Sequence, residues 1–214
     1  LTLLEDVMVT QQIELTQARY NIFDNLTVDL NNHTLSGNFD DEAVVYFEPA
    51  TVYHVAFKNG TIENTAENGT AVQLLDGQIT MENVTINGDF VIKHDFLNHY
   101  KSYTPTFLGG GTISKLRTES EYPADFGNAL APGCYFVDSD DRRVQGDALE
   151  HGTKLENVTV MTCEHEKGFV WDSDPFFTRY ICQVCGNACT QDTRSSDDWK
   201  CEICHMEIND IVYN

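Results

Sequence analysis

The residues with the most specific chemistry in this chain are cysteines near its C-terminal end. Cys182-Gln-Val-Cys185-Gly186 and Trp199-Lys-Cys201-Glu-Ile-Cys204-His205 are two Cys-x2-Cys units, one closing at Cys185 and the next opening at Cys201. Two such units can set four thiolates around one Zn2+ at about 2.3 Å in a tetrahedron. Cys182, Cys185, Cys201 and Cys204 are therefore the candidate ligands of one structural zinc ion. A closed four-sulfur site leaves no position for a substrate, so the metal would stabilise rather than catalyse. A segment of roughly 35 residues cannot build a sufficient core, and metal binding would supply the missing folding energy. The competing pattern is a pair of disulfides, which the pairing of two adjacent knuckles disfavours. Cys189 has a poorer spacing, and His205 suits a supporting or solvent position. Cys134 and Cys163 read as small buried hydrophobes. Cys163, His165 and His151 form a weaker second metal set.

The second candidate chemistry is carboxylate catalysis. Sugar-cleaving enzymes use paired carboxyls, about 6.5–9.5 Å apart when the reaction inverts configuration. The densest acidic run is Asp138-Ser-Asp140-Asp141-Arg142-Arg143, followed by His151. Asp140, Asp141 and His151 are the catalytic candidates of this alternative. In a chain with 34 acids an adjacent Asp pair arises by chance, so a solvated loop is the simpler expectation. Asp172 and Asp174 flank a Trp-Asp-Ser-Asp-Pro turn and read as linker residues. No Ser-His-Asp order, phosphate loop or dinucleotide glycine motif can be placed on suitable elements. Six Asn-x-Thr sequons occur, at Asn25, Asn32, Asn59, Asn68, Asn83 and Asn157. Their number is inflated by a repeat in which Asn and Thr already have structural uses. Asn68, Asn25 and Asn157 are the glycosylation candidates, Asn68 first because it reads as a loop residue.

Charge narrows the partners. Against 34 Asp and Glu stand 13 Lys and Arg, a formal net charge of −21 in 214 residues. Phosphate-rich partners need basic footprints, so neither nucleic acid nor an anionic membrane surface is expected. Residues 173–214 repeat the imbalance with seven acids against Arg179, Arg194 and Lys200. That sets this knuckle pair apart from nucleic-acid-binding ones and suits a protein-contact or capping module. No apolar run approaches the ~20 residues of a membrane helix. Leu1 followed by Glu5 and Asp6 does not read as a signal peptide. With 41% hydrophobic residues the chain can bury a core. Acids spread along the chain, with few lysines, are the surface habit of proteins from high salt, where screening removes self-repulsion. An ordinary acidic secreted or surface protein is the other reading.

The elements that must carry these residues are short and repeated. Asn25-Leu-Thr-Val-Asp-Leu-Asn-Asn-His-Thr-Leu-Ser-Gly37, Phe57-Lys-Asn-Gly-Thr-Ile-Glu-Asn64, Ile79-Thr-Met-Glu-Asn-Val-Thr-Ile-Asn-Gly88 and Leu155-Glu-Asn-Val-Thr-Val160 share an Asn-x-Thr-aliphatic core. Asn32, Asn59 and Asn83 recur at a near-constant interval. Such a period of β-branched segments suits turns of a parallel β-solenoid, with aliphatics stacked inward, Thr on half-exposed strands and Asn at tight corners. Gly37, Gly60, Gly77 and Gly88 are expected at corners of positive φ. Leu4, Met8, Ile13 and Leu15 mark a short cap or edge strand. These segments resemble the opening coils of right-handed parallel β-helix proteins of the pectin-lyase-like type. The resemblance covers residues 20–90, returns at 153–163, and extends to Gly110-Gly-Thr-Ile113 as a further coil. The Cys-x2-Cys pair resembles a zinc ribbon.

The expected fold is all-β: a right-handed parallel β-helix with long loops, plus a small C-terminal zinc ribbon. Residues 1–24 form the N-terminal cap or edge, 25–170 the β-helix with inserted loops at 92–108 and 117–150, and 171–214 the ribbon. Aromatics at Phe90, Phe96, Tyr100, Tyr103 and Phe107, and at Trp171, Phe176, Phe177 and Tyr180, either cover the solenoid's open side and its junction with the ribbon or face a partner. The resemblance identifies a shape that serves lyases and hydrolases, surface proteins and virion appendages alike. The sequence favours a non-enzymatic protein of a virion surface, such as a turret, spike or tail appendage, acting in assembly and host-surface contact. The resemblance to spike β-helices implies a homotrimer that meets other virion or surface proteins and, in attachment, a host glycan. Thiolate zinc sites load under reducing conditions, so assembly in the host cytoplasm is expected. A carbohydrate-active enzyme and a cellular surface or adhesion protein, the latter extracellular, are the alternatives.

Overall fold

Thr34-Leu-Ser-Gly37 and Thr70-Ala-Val-Gln-Leu74 place apolar residues inward and polar ones outward, as a half-buried strand requires. A computed structural model describes residues 1–16, 25–48, 54–75, 78–93, 105–119, 129–131, 133–144, 154–163, 169–172, 179–182 and 188–190. Within them the chain is all-β with almost no helix. The first strands are β1 (Val7–Met8), β2 (Ile13–Thr16), β3 (Asn25–Asp29), β4 (Thr34–Gly37) and β5 (Ala43–Glu48). Next come β6 (His54–Asn64), β7 (Thr70–Leu74), β8 (Gln78–Ile92), β9 (Pro105–Leu108) and β10 (Thr112–Thr118). The last are β11 (Cys134–Val137), β12 (Arg143–Val144), β13 (Lys154–Thr162), β14 (Phe169–Asp172), β15 (Arg179–Cys182) and β16 (Ala188–Thr190).

β1 to β10 build a β-solenoid of about three turns. Every pairing among them is parallel: β1 on β4, β2 on β5, β3 and β4 on β6, β5 on β7, β6 and β7 on β8, and β8 on β9 and β10. Residues 25–48, 54–75 and 78–93 each make one turn. The register stacks like on like. Leu35, Ile62, Ile86 and Ile113 form one aliphatic column. Val45, Val72, Phe90 and Leu116 form a second, and Val28, Phe57, Met81 and Phe107 a third. All these side chains are buried. A column in register leaves no gap for water, and its apolar surface supplies the main driving force for stacking. Phe90 and Phe107 meet edge to face with centroids 5.2 Å apart. These two aromatics therefore belong to the core, in the geometry that ring quadrupoles prefer.

Three local expectations change. Leu155–Val160 carries the repeat motif but runs antiparallel to β10, with Val158 opposite Ile113 and Leu155 opposite Leu116. The chain returns to the sheet after a long excursion, and such a connection permits either direction. Leu155, Val158 and Val160 are still buried, the strict alternation being broken where Asn157 takes a left-handed φ of 51°. Pro105–Leu108, within the stretch read as an inserted loop, is a strand in register with Ile79–Glu82. Of the expected corner glycines, Gly88 has positive φ (122°), Gly37 and Gly60 do not, and Gly77 lies outside the described residues. Gly60 is needed for closeness instead: a Cβ there would stand 2.5 Å from the Cβ of Leu30 and 2.6 Å from the carbonyl oxygen of His33. The left-handed corners belong to Asn31, Asn32, Asn59, Asn83 and Asn157, all at positive φ. Asparagine enters that region more readily than other side chains do.

The chain divides into two units, Leu1–Ala131 with Phe136–Met161, and Pro132–Tyr135 with Thr162–Asn214. The second contains an antiparallel sheet in the order β14-β15-β16, with Trp171 opposite Tyr180 and Tyr180 opposite Cys189.

Candidate functional site

All seven cysteines fall within the bounds of the second unit. Cys182 is the last residue of β15 and is buried, 1% exposed. Its sulfur lies 3.6 Å from that of Cys163, which is 7% exposed and follows directly on β13. The Cys163 amide donates to the carbonyl of Gly133 at 2.8 Å, which fixes the backbone that carries the thiol. Cys134 is also buried, its sulfur 3.9 Å from the Thr162 hydroxyl. Cys163 and Cys134 are thus buried as the sequence implies, but Cys163 faces another thiol rather than apolar neighbours alone. Cys185, Cys201, Cys204, His205, His165 and His151 lie outside the described residues, as do Phe96, Tyr100, Tyr103, Phe176 and Phe177. Among the described residues no three His, Cys, Asp or Glu gather as a metal cluster.

The acidic run forms the turn between β11 and β12. Asp138 accepts hydrogen bonds from the amides of Asp140 and Arg142, both at 2.9 Å, and from Arg142 Nε at 3.1 Å. The Arg142 amide, helped by the Asp140 amide and the Arg142 charge, holds the exposed Asp138 carboxyl below its usual range. A general acid needs the opposite shift. Asp140 accepts from Arg142 Nη2 at 2.6 Å, and Asp141 occupies the left-handed position of the turn at φ 59°. These side chains therefore act on their own loop: Asp138 caps it and Arg142 clamps it.

Corner asparagines form a second constellation. Asn83 Nδ2 donates to Asn59 Oδ1 and Asn59 Nδ2 to Asp29 Oδ1, each at 3.3 Å, a short ladder across successive turns. Asn59 and Asn83 are sequon residues, and their amide nitrogens are already engaged. Asn68 (φ 60°), Asn25 and Asn157 are exposed. Asn64, by contrast, is buried. Its Oδ1 accepts from the amides of Phe39 and Ala66 at 3.1 Å, and its Nδ2 donates to the carbonyls of Phe39 and Thr70 at 2.9 and 3.0 Å. One side chain thus satisfies backbone groups on several strand connections.

The third is ionic. Asp89, its side chain 8% exposed, accepts Lys115 Nζ and Arg117 Nε, each at 2.7 Å. Glu119 joins Arg117 at 2.8 Å and Lys93 at 3.4 Å. Burial works against the charge on Arg117, but the hydrogen bonds and charges of Asp89 and Glu119 outweigh it and its pKa is raised. Burial likewise opposes ionisation of Glu119, and Arg117 with Lys93 outweighs it, holding the carboxyl below its usual range. Lys58 pairs with Glu82 and Lys154 with Glu156. Among the described residues, Lys58, Lys93, Lys115, Arg117, Arg142 and Lys154 each pair with a carboxylate of the chain itself.

Sequence reasoning missed the Cys163–Cys182 contact, Asn64 and Asp89. The two thiols stand far apart along the chain, and spacing rules see only near neighbours. Asn64 closes the Thr-Ile-Glu-Asn segment, yet nothing local marks it as buried. Lys115 and Arg117 do carry a signal, since residues two apart on a strand share a face and here meet one acid. Comparison of the chain with known proteins finds no matching family model, no matching characterised protein and no matching solved structure.

Proposed function

We propose that the chain is a non-enzymatic surface scaffold, a virion appendage in its best-fitting form, which works through assembly and contact rather than turnover. The observation that carries it is the stack itself: columns of buried aliphatic and aromatic residues fill the interior, and in the acidic turn Asp138 and Asp140 are engaged by Arg142. Right-handed winding, the hand of the resembled β-helices, is part of the proposal. So is homotrimeric assembly. The terminal strand β1 supports it, since among the described residues its outer edge takes no strand, and Met8 within it and Leu1 and Leu4 before it stand exposed, Leu4 at 85%. Exposed edges and apolar residues of this kind are contact surfaces unless covered.

A structural Zn2+ held by thiolates in the C-terminal unit is the second element. The residues fit it in one tested respect: Cys182, first of the proposed ligands, is buried with another thiol beside it. The ion would link residues too few to hold a core of their own. The protein is expected on a particle surface after folding in a reducing compartment, in a high-salt setting.

The test is purification in molar salt followed by native mass measurement, partner identification and an assay on acidic polysaccharides. A self-assembled, catalytically silent protein found with other surface or particle components supports the proposal. Turnover abolished by Asp141→Ala would replace it with the enzyme.

A further inference from the structure

We infer that Cys163 is itself a ligand of the zinc ion, beside Cys182, so that the metal centre reaches back to the residue following β13. This rests on the zinc reading proposed above and changes its ligand set. The two sulfurs are 3.6 Å apart. A disulfide would bring them to about 2.05 Å. Two thiolates on one tetrahedral Zn2+, each about 2.3 Å from the metal, lie about 3.8 Å apart along the tetrahedron's edge. Two protonated thiols in simple contact reach a similar separation, so distance alone does not decide.

Position does. Cys182 is the opening thiol of Cys182-x2-Cys185, and an ion held by that unit sits against the Cys182 sulfur. The Cys163 sulfur, 3.6 Å from it, buried with it and carried on a backbone fixed by a hydrogen bond to Gly133, stands close to the edge length of a coordination tetrahedron and is placed to be a second ligand. A buried thiol so close to a bound cation gives up its proton to solvent on binding, and the metal compensates the charge that burial would otherwise oppose. A tetrahedral site needs two further thiolates, and the sequence offers Cys185, Cys201 and Cys204 for them. Cys134, buried in the same unit with the Thr162 hydroxyl beside its sulfur, stays outside the set.

The full chain is loaded with Zn2+ alone, with Co2+ and with Cd2+. Cys163→Ser is expected to weaken Zn2+ binding roughly tenfold or more and to lower thiolate-to-cobalt charge-transfer intensity by about one quarter. Cys134→Ser should change neither. In the unsubstituted cadmium-loaded chain, proton–cadmium NMR correlations should reach the β-protons of both Cys163 and Cys182, a result that stands even if Cys163→Ser fails to fold. Correlations at Cys182, Cys185, Cys201 and Cys204 with none at Cys163, or unaltered zinc affinity and cobalt spectrum in Cys163→Ser, would remove Cys163 and leave the two-knuckle, four-cysteine site intact. An unsubstituted chain that takes up no metal and carries a Cys163–Cys182 disulfide would remove both.

Discussion

Asn64 holds a buried corner of the solenoid with one amide. Its oxygen and nitrogen close backbone groups that would otherwise be buried without partners, and such groups cost about 1–3 kcal/mol each when orphaned. Asn64→Ala should therefore lower unfolding free energy by about 2–4 kcal/mol in chemical denaturation. Asn83→Ala, at an exposed rung of the ladder, should cost under about 1 kcal/mol. Equal effects would refute the assigned roles. Carboxyls depressed in the folded state add stability above their ordinary pKa and lose it as pH falls through the folded value. Glu119 and Asp138 both behave so. Stability should thus fall in acid below the ordinary carboxylate range, and Glu119→Gln should flatten that fall. The Tyr46 hydroxyl shifts the other way, to about 12, through burial first and then its hydrogen bond to Glu48. Its folded pKa exceeds the unfolded one, so stability should decline between pH 10 and about 12, less steeply in Tyr46→Phe. At this scale the sequence was a partial guide. It pointed to corner asparagines and to buried Cys134 and Cys163, because residue type alone carries those preferences. It could not point to Asn64 or the thiol pair, because both depend on which turns lie against each other.

Strands were more legible than residues. The recurrence of Asn-x-Thr-aliphatic segments marks β3, β4, β6 and β8, and in-register stacking follows from their near-constant interval. Direction is not encoded in the motif, which is why Leu155–Val160 reads like a further coil yet runs antiparallel. Pro105–Leu108 has no motif and is held by its partner Ile79–Glu82. Gly88 joins two strand segments at φ 122°, where an added Cβ would stand 2.7 Å from the Gly69 carbonyl oxygen. Gly88→Val should cost more than about 2 kcal/mol, seen as a lower thermal midpoint with strand content retained at low temperature. At the outer strand Met8 is exposed. Met8→Lys should weaken self-association while leaving the thermal midpoint of the separated chain unchanged. Loss of the midpoint without loss of association would place Met8 in the core instead.

Over the whole molecule the dominant quantity is the charge of −21. Like charges spread over one surface repel, and added salt screens them over a length of about 8 Å at physiological strength and about 3 Å at molar strength. The melting temperature should rise with salt. A fall would remove the high-salt setting from the proposal. Composition sets both the sign and the size of this field, and the solenoid adds where some of the cations go: Lys58, Lys93, Lys115 and Arg117 are tied to carboxylates of neighbouring turns. Native mass spectrometry of the intact protein is the most direct check on a scaffold that acts by assembling. A homotrimer that dissociates when the Leu4 and Met8 surface is charged is expected; a monomer that degrades an acidic polysaccharide would contradict it.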